Sequence, residues 1–175
     1  MPAQPRRLRF FMPVSAAHAQ AVDQYAQQVG RLSSWARGLS RAQLSAAPTG
    51  QFAGTWTVGQ NIVHCLDSDL AATHRMRRIV AESTPLLIAY DETQFAASLS
   101  YEHDDIELVC RLFDDNRRWT AAWLSRLPDD AFDRAGIHNQ RGRVTLGQFV
   151  KIYIDHINHH DKFVAAKREM LLSRS

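Results

Sequence analysis

The stretch "VTLGQFVKIYIDHINHHDKFVAAKREML", residues 144–171, decides how this chain folds. Thr145 precedes an apolar-periodic run, and Gln148 follows three residues on, the spacing of a capping box. The run predicts one helix from Thr145 to about Leu172. At about 100° per residue, Leu146, Phe149, Tyr153, Ile157, His160 and Val164 share a face. A face that apolar, opposite one that polar, is a helix packed against other helices.

The same wheel separates the three histidines of "DHINHHD". His160 lies in the core stripe. His156 lies about 40° away and one turn back, and His159 about 100° from His160 on the outward flank. Side chains four apart stand one above the other, so His156 and His160 can aim at one ion. Zinc, nickel and iron(II) all accept imidazole nitrogen. Two inward imidazoles are equally satisfied by hydrogen bonds to tyrosine or backbone, and spacing alone does not choose. Position 157 is Ile, so the HExxH pattern of zinc proteases is absent.

The rest of the chain has the same helical period. A first helix is predicted from Ser15 to Gly38, capped by Ser15, with Val22, Tyr25, Val29, Leu32 and Leu39 as its stripe. Ser40 or Ser45 opens a short turn before the loop "PTGQFAGTW". A second helix runs from about Thr57 to Glu82, with a Thr57/Gln60 capping box, and Pro85 bars its extension. A third spans about Tyr101 to Leu127. Between it and the last helix, "PDDAFDRAGIHNQRGRV" is a connector with a hairpin-like turn at Gly142. Four long helices without a strand pattern imply an all-α four-helix bundle, one domain over residues 1–175. The long connector between helices two and three leaves room for an up-down-down-up path.

Charge and cysteine content narrow the function. Lys and Arg number 21 against 18 Asp and Glu, and the short basic clusters are offset by acidic pairs, which argues against nucleic acid. No apolar run is long enough to span a membrane. The start "MPAQPRRLRFFMPVS" lacks the apolar core of a secretory signal, so a cytoplasmic protein is expected. Cys65 and Cys110 form no metal or redox motif and are expected to be reduced and structural. Trp35, Trp119 and Trp123 are expected in the core or at an interface.

A metal held by His156 and His160 needs a third protein ligand. His64, His74, His103, His138 and the more remote His18 are available. On helix two, Gly59, Ile62, Leu66 and Leu70 make the apolar face. His64 lies about 160° from Leu66, among Gln60, Asn61, Ser68 and Ala71. It is therefore either solvated or lining a polar cavity.

Three stretches carry a family resemblance. "TWTVGQNIVHCLDSDLAATHRM", residues 55–76, resembles the second helix of DinB/YfiT-like proteins, with its Trp, its Thr-Val cap and a His six residues after the Val. Residues 144–171 resemble their last helix with its HxxxH. "LLIAYDETQFAA", residues 86–97, is similar to their connector. The resemblance implies a metal-binding four-helix bundle, often a homodimer. It carries the ligand positions onto His64, His156 and His160. The local HxxHH would also allow a His156–His159 pair, against which the wheel speaks.

Three neutral imidazoles leave coordination positions open to a small molecule. Such a centre activates water for hydrolysis or a low-molecular-weight thiol for transfer, and the resemblance implies both thiol S-transferases and thiol-dependent isomerases. Asp67, one turn from His64, is a candidate base. Asn61 and Asp155 are candidate supports for the ligands. Tyr153 reads as core. The competing class is a non-catalytic dimeric protein with a structural ion or none.

Overall fold

A computed structural model of the protein describes residues 15–47 and 55–173. The N-terminal basic stretch and most of the loop "PTGQFAGTW" lie outside the described residues. The helices are α1 (Ala16–Ala26), α2 (Arg31–Ala36), α3 (Arg41–Leu44), α4 (Val58–Ala81), α5 (Glu92–Ser98), α6 (Ile106–Leu124) and α7 (Leu146–Leu172). The strands are β1 (Leu86–Leu87), β2 (Ala135–His138) and β3 (Gly142–Thr145).

Local chemistry accounts for most boundaries. Thr57 and Thr145 each accept from the backbone N–H three residues on, while Gln60 and Gln148 reach back, completing both expected capping boxes. Ser15 caps α1, and Ser40, not Ser45, starts α3 with a third capping box. Asp105 starts α6 by accepting from two N–H groups, so the third long helix begins later than expected. Tyr101–His103 is a separate 3-10 turn before it.

The predicted first helix is broken in two. Gly30 sits at φ +81°, a left-handed conformation that helical residues do not adopt. Its N–H donates to Asp114 Oδ1 at 2.7 Å, which holds the break against α6. The hairpin-like turn expected at Gly142 is present, but the strands as such, and β1 in particular, were not expected. β1 pairs in parallel with β2, and β2 pairs antiparallel with β3 around Gly142. They are too short to show an alternating pattern. Gly136 permits the β1–β2 approach, because a Cβ there would meet the Leu87 side chain at 2.8 Å.

Side-chain contacts between helices give the path. Thr73 meets Thr120 at 3.0 Å and Asp69 meets Asn116 at 2.7 Å, so α4 and α6 run in the same direction. Asn61 meets His160 and Arg75 meets Tyr153, so α4 and α7 run in opposite directions. Gln28 reaches the carbonyl of Ile154 and Trp35 reaches Asp161, which sets α1 and α2 along α7. The course is up-down-down-up. The connector with β1 and α5 takes the chain back along the bundle between α4 and α6.

Two apolar clusters fill the bundle, one around Met76, Phe149 and Leu124, the other around Ile62, Phe113 and Ile157. Each such side chain contributes about 1.5–3 kcal/mol. Between them lies a polar tie. Arg117, fully buried, meets Asp69 Oδ1 at 2.8 Å, the Gln28 carbonyl at 2.5 Å and the Tyr153 backbone carbonyl at 3.0 Å. Its guanidinium also lies 4.0 Å from the Tyr25 ring. Burial raises the Asp69 carboxyl above its ordinary range, and Arg117 opposes that shift. The two cysteines are free and buried.

Candidate metal centre

Each of the three histidines is delivered by a capped helix. α7 brings His156 and His160, and α4 brings His64 from the opposite direction. One ring nitrogen from each lies within 4.8 Å of the others. His64 Nε2 and His156 Nε2 are 3.1 Å apart. The ring of His160 lies 4.8 Å from that of His64 and 4.6 Å from that of His156.

Asn61 orients the third ring. Its side-chain N–H donates to the Thr57 carbonyl at 2.7 Å, which turns its Oδ1 toward His160 Nδ1 at 2.9 Å. An amide oxygen only accepts, so His160 carries its proton on Nδ1 and presents a lone pair at Nε2. Trp56 closes the other side, edge-on to His64 at 4.8 Å and stacked on His160 at 6.5 Å.

The electrostatics suit a cation. Burial, foremost, lowers His64 to about 4. Burial and then the neighbouring histidines lower His156 to about 2 and His160 to about 3. All three are neutral near pH 7, so a metal would displace no proton. His64 Nδ1 is buried and, among the described residues, has no hydrogen-bond partner. A convergent set of neutral nitrogens fits a borderline divalent ion.

Of the two alternatives, solvated or lining a polar cavity, the solvated one falls, because His64 is fully buried and faces His156 and His160. Leu70, expected in the core, is 47% exposed. The other histidines lie outside the ligand set, although the His159 ring is 5.5 Å from that of His160. His74, His103 and His159 are exposed. His138 lies in β2, where its Nδ1 accepts from the Gln140 N–H, and His18 meets Asp129 at 2.5 Å. Asp67 accepts from the Tyr101 hydroxyl at 2.5 Å and lies outside the histidine cluster. Asp155 is exposed and pairs with Lys151 at 3.1 Å, so it supports no histidine. Tyr153 is buried, as expected, but its hydroxyl accepts from Arg75 at 3.1 Å. Arg75 was not anticipated. Its signal was available, since eleven residues beyond His64 returns to within about 20° of the same helix face.

Comparison with known proteins agrees with this architecture. The DinB superfamily model matches residues 19–164. A protein of Oceanobacillus iheyensis is 32% identical over 108 residues, 61% of this chain and 62% of that protein, so the match spans less than two thirds of the relative. One of Bacillus licheniformis is 30% identical over 120 residues, 67% of this chain and 68% of the other. Both bear the name "Putative metal-dependent hydrolase". The structure of YfiT from Bacillus subtilis, described as an unusual four-helix bundle, superposes with a TM-score of 0.81 at 22% identity, over 96% of this chain and 93% of that one. A mycothiol-dependent maleylpyruvate isomerase superposes with a TM-score of 0.59 at 14% identity, over 85% of this chain and 57% of that one. These two likenesses concern the fold.

Proposed function

We propose that this chain, which belongs to the DinB superfamily, is a metal-dependent enzyme acting on a small molecule, with His64, His156 and His160 holding one zinc, nickel or iron(II) ion. The observation that carries the reading is the convergence of three ring nitrogens within 4.8 Å from two helices. Three protein ligands among the described residues, not four, is the composition of a catalytic rather than a closed structural site. Bound there, the ion would supply Lewis acidity, polarising a substrate oxygen and lowering the pKa of water or a thiol.

The chain's own residues do the remaining work. Asn61 holds His160 in the tautomer that offers Nε2. Trp56 packs against two of the three rings. Burial keeps the imidazoles unprotonated. Hydrolysis is the reaction this set supports best, and the names of the two relatives accord with it. A second reading, transfer of a low-molecular-weight thiol to an electrophile, is favoured by the all-nitrogen donor set. With no carboxylate ligand, the full charge of the ion remains to stabilise a thiolate.

A second copy of the chain is the partner we propose. Leu108, Leu112 and Trp119 on α6 and Leu70 on α4 are large exposed apolar side chains on two neighbouring helices that run in the same direction. A dimer would cover that face.

The test is metal analysis of untagged protein, wild type against His160→Ala, with activity read on an ester and amide panel and on thiols with an electrophilic acceptor. Stoichiometric metal in the wild type and its loss in the variant are expected. Equal metal in both would overturn the site. Turnover on one panel, abolished by chelation, chooses the reaction.

A further inference from the structure

Among the described residues two arginines are buried, and the fold treats them differently. Arg117 has its own carboxylate, Asp69, at 2.8 Å. Arg75 is 9% exposed and, among the described residues, pairs with no carboxylate. Its guanidinium donates to the Tyr153 hydroxyl at 3.1 Å and to the backbone carbonyl of Ile88, and it lies 6.0 Å from the Tyr90 ring. All three partners are neutral. An unpaired buried charge is costly, and neutral acceptors offset only part of that cost.

The surroundings of Arg75 are rich in donors. Tyr90 Oη is buried beside the Ser68 hydroxyl and, among the described residues, faces no carboxylate or carbonyl acceptor within hydrogen-bond distance. Tyr153 Oη accepts from Arg75 and so retains its own proton to give. Burial, and then the charge of Arg75, lower the pKa of neighbouring His138. The cluster adjoins the histidines. Arg75 lies on the face of α4 that carries His64, with the small residues Ser68 and Ala71 between them, and the Tyr153 ring is 6.0 Å from that of His156.

We propose that Arg75, Tyr90 and Tyr153 form a carboxylate-binding subsite beside the three histidines, so that the substrate of this chain carries a carboxylate next to its reacting group. The carboxylate completes the ion pair that Arg75 lacks and accepts from the two phenol hydroxyls. Its position relative to the reacting group rests on the reading of the histidines as the reacting centre. Its binding to Arg75 does not.

The test uses the full chain and two probes of the same shape, butyrate and uncharged butanamide, titrated by calorimetry and by NMR. Wild type is expected to bind butyrate and to bind butanamide at least about tenfold more weakly. Arg75→Gln should lose about tenfold or more for butyrate and leave butanamide unchanged, and Arg75→Lys should keep part of the preference. Tyr90→Phe should weaken butyrate by a few-fold. It reads the subsite independently of any folding defect at Arg75. His64→Ala should lose metal yet keep butyrate. Equal binding of the two probes by wild type, or butyrate binding unchanged in a folded Arg75→Gln, overturns the proposal. So does butyrate binding that disappears in His64→Ala and survives in Arg75→Gln, because the carboxylate then sits on the metal. Failure of His64→Ala to lose metal, with Arg75 still selecting butyrate, would sink the metal reading and leave the subsite standing.

Discussion

Asn61 Oδ1 lies 2.9 Å from His160 Nδ1, and the Asn61 amide is itself pinned by the Thr57 carbonyl. The residue that ends the N-terminal turn of α4 therefore sets the proton position on a ring of α7. Asn61→Ala removes that constraint without removing a ligand. It is expected to weaken metal binding about 10–100-fold with little change in the fold. Competition with a chromophoric chelator measures it. Unchanged affinity would make Asn61 a purely structural cap.

The histidine centre also predicts a pH dependence for the metal-free protein. Burial, foremost, lowers the three folded pKa values, His64 to about 4. Between the unfolded value near 6.5 and the folded one, the unfolded chain binds more protons. Stability is fully present above about pH 6.5 and is lost as pH falls toward 4. Thermal unfolding at pH 7.5, 5.5 and 4.5 should show this fall. The fall should be smaller in His64→Leu, which has one titrating ring fewer.

Lys167 gives the same sign at higher pH. It lies on the core side of α7, 3% exposed, and burial lowers its pKa. Its folded pKa lies below the unfolded one, so stability is present above pH 10.5 and is reduced as pH falls. Lys167→Met should raise Tm by a few degrees at pH 7, and the gain should shrink as pH approaches 10.5. A variant less stable than wild type at both pH values would show that the ammonium has a partner worth keeping.

The buried pair Arg117–Asp69 predicts a large loss. Asp69→Ala leaves a fully buried guanidinium without its counter-charge and should cost about 3–5 kcal/mol. Urea unfolding at pH 7 reads it. A loss below about 1 kcal/mol would place the pair among weak surface bridges.

Leu112 tests the proposed dimer. It is 48% exposed on α6. Leu112→Glu puts a charge on the apolar face and should shift sedimentation from dimer to monomer with Tm little changed. A monomeric wild type would dispose of the dimer.

Most of the scaffold is legible in the sequence. Capping boxes at Thr57 and Thr145 are local hydrogen bonds within four residues, so their signals survive in one dimension. The break at Gly30 was not legible, because a glycine inside an apolar-periodic run is compatible with a continuous helix until Asp114 holds its N–H. The turn at Gly142 was legible, but the sheet built on it was missed for a related reason. β1 and β2 are far apart in the chain and short, and their pairing is a long-range hydrogen-bond pattern.

For the candidate site, the helical period was enough to bring His156 and His160 to the inward side of α7 and to send His159 outward. It could not place His64. A helical wheel describes the faces of one helix and says nothing about which neighbours cover them. α4 is packed by α6 on one side and α7 on another, with the connector and β2 adding further cover, so a residue opposite Leu66 is buried while Leu70 is exposed. The convergence of His64 on the other two rings, the hold of Asn61 on His160 and the unpaired charge of Arg75 exist only where separate helices meet.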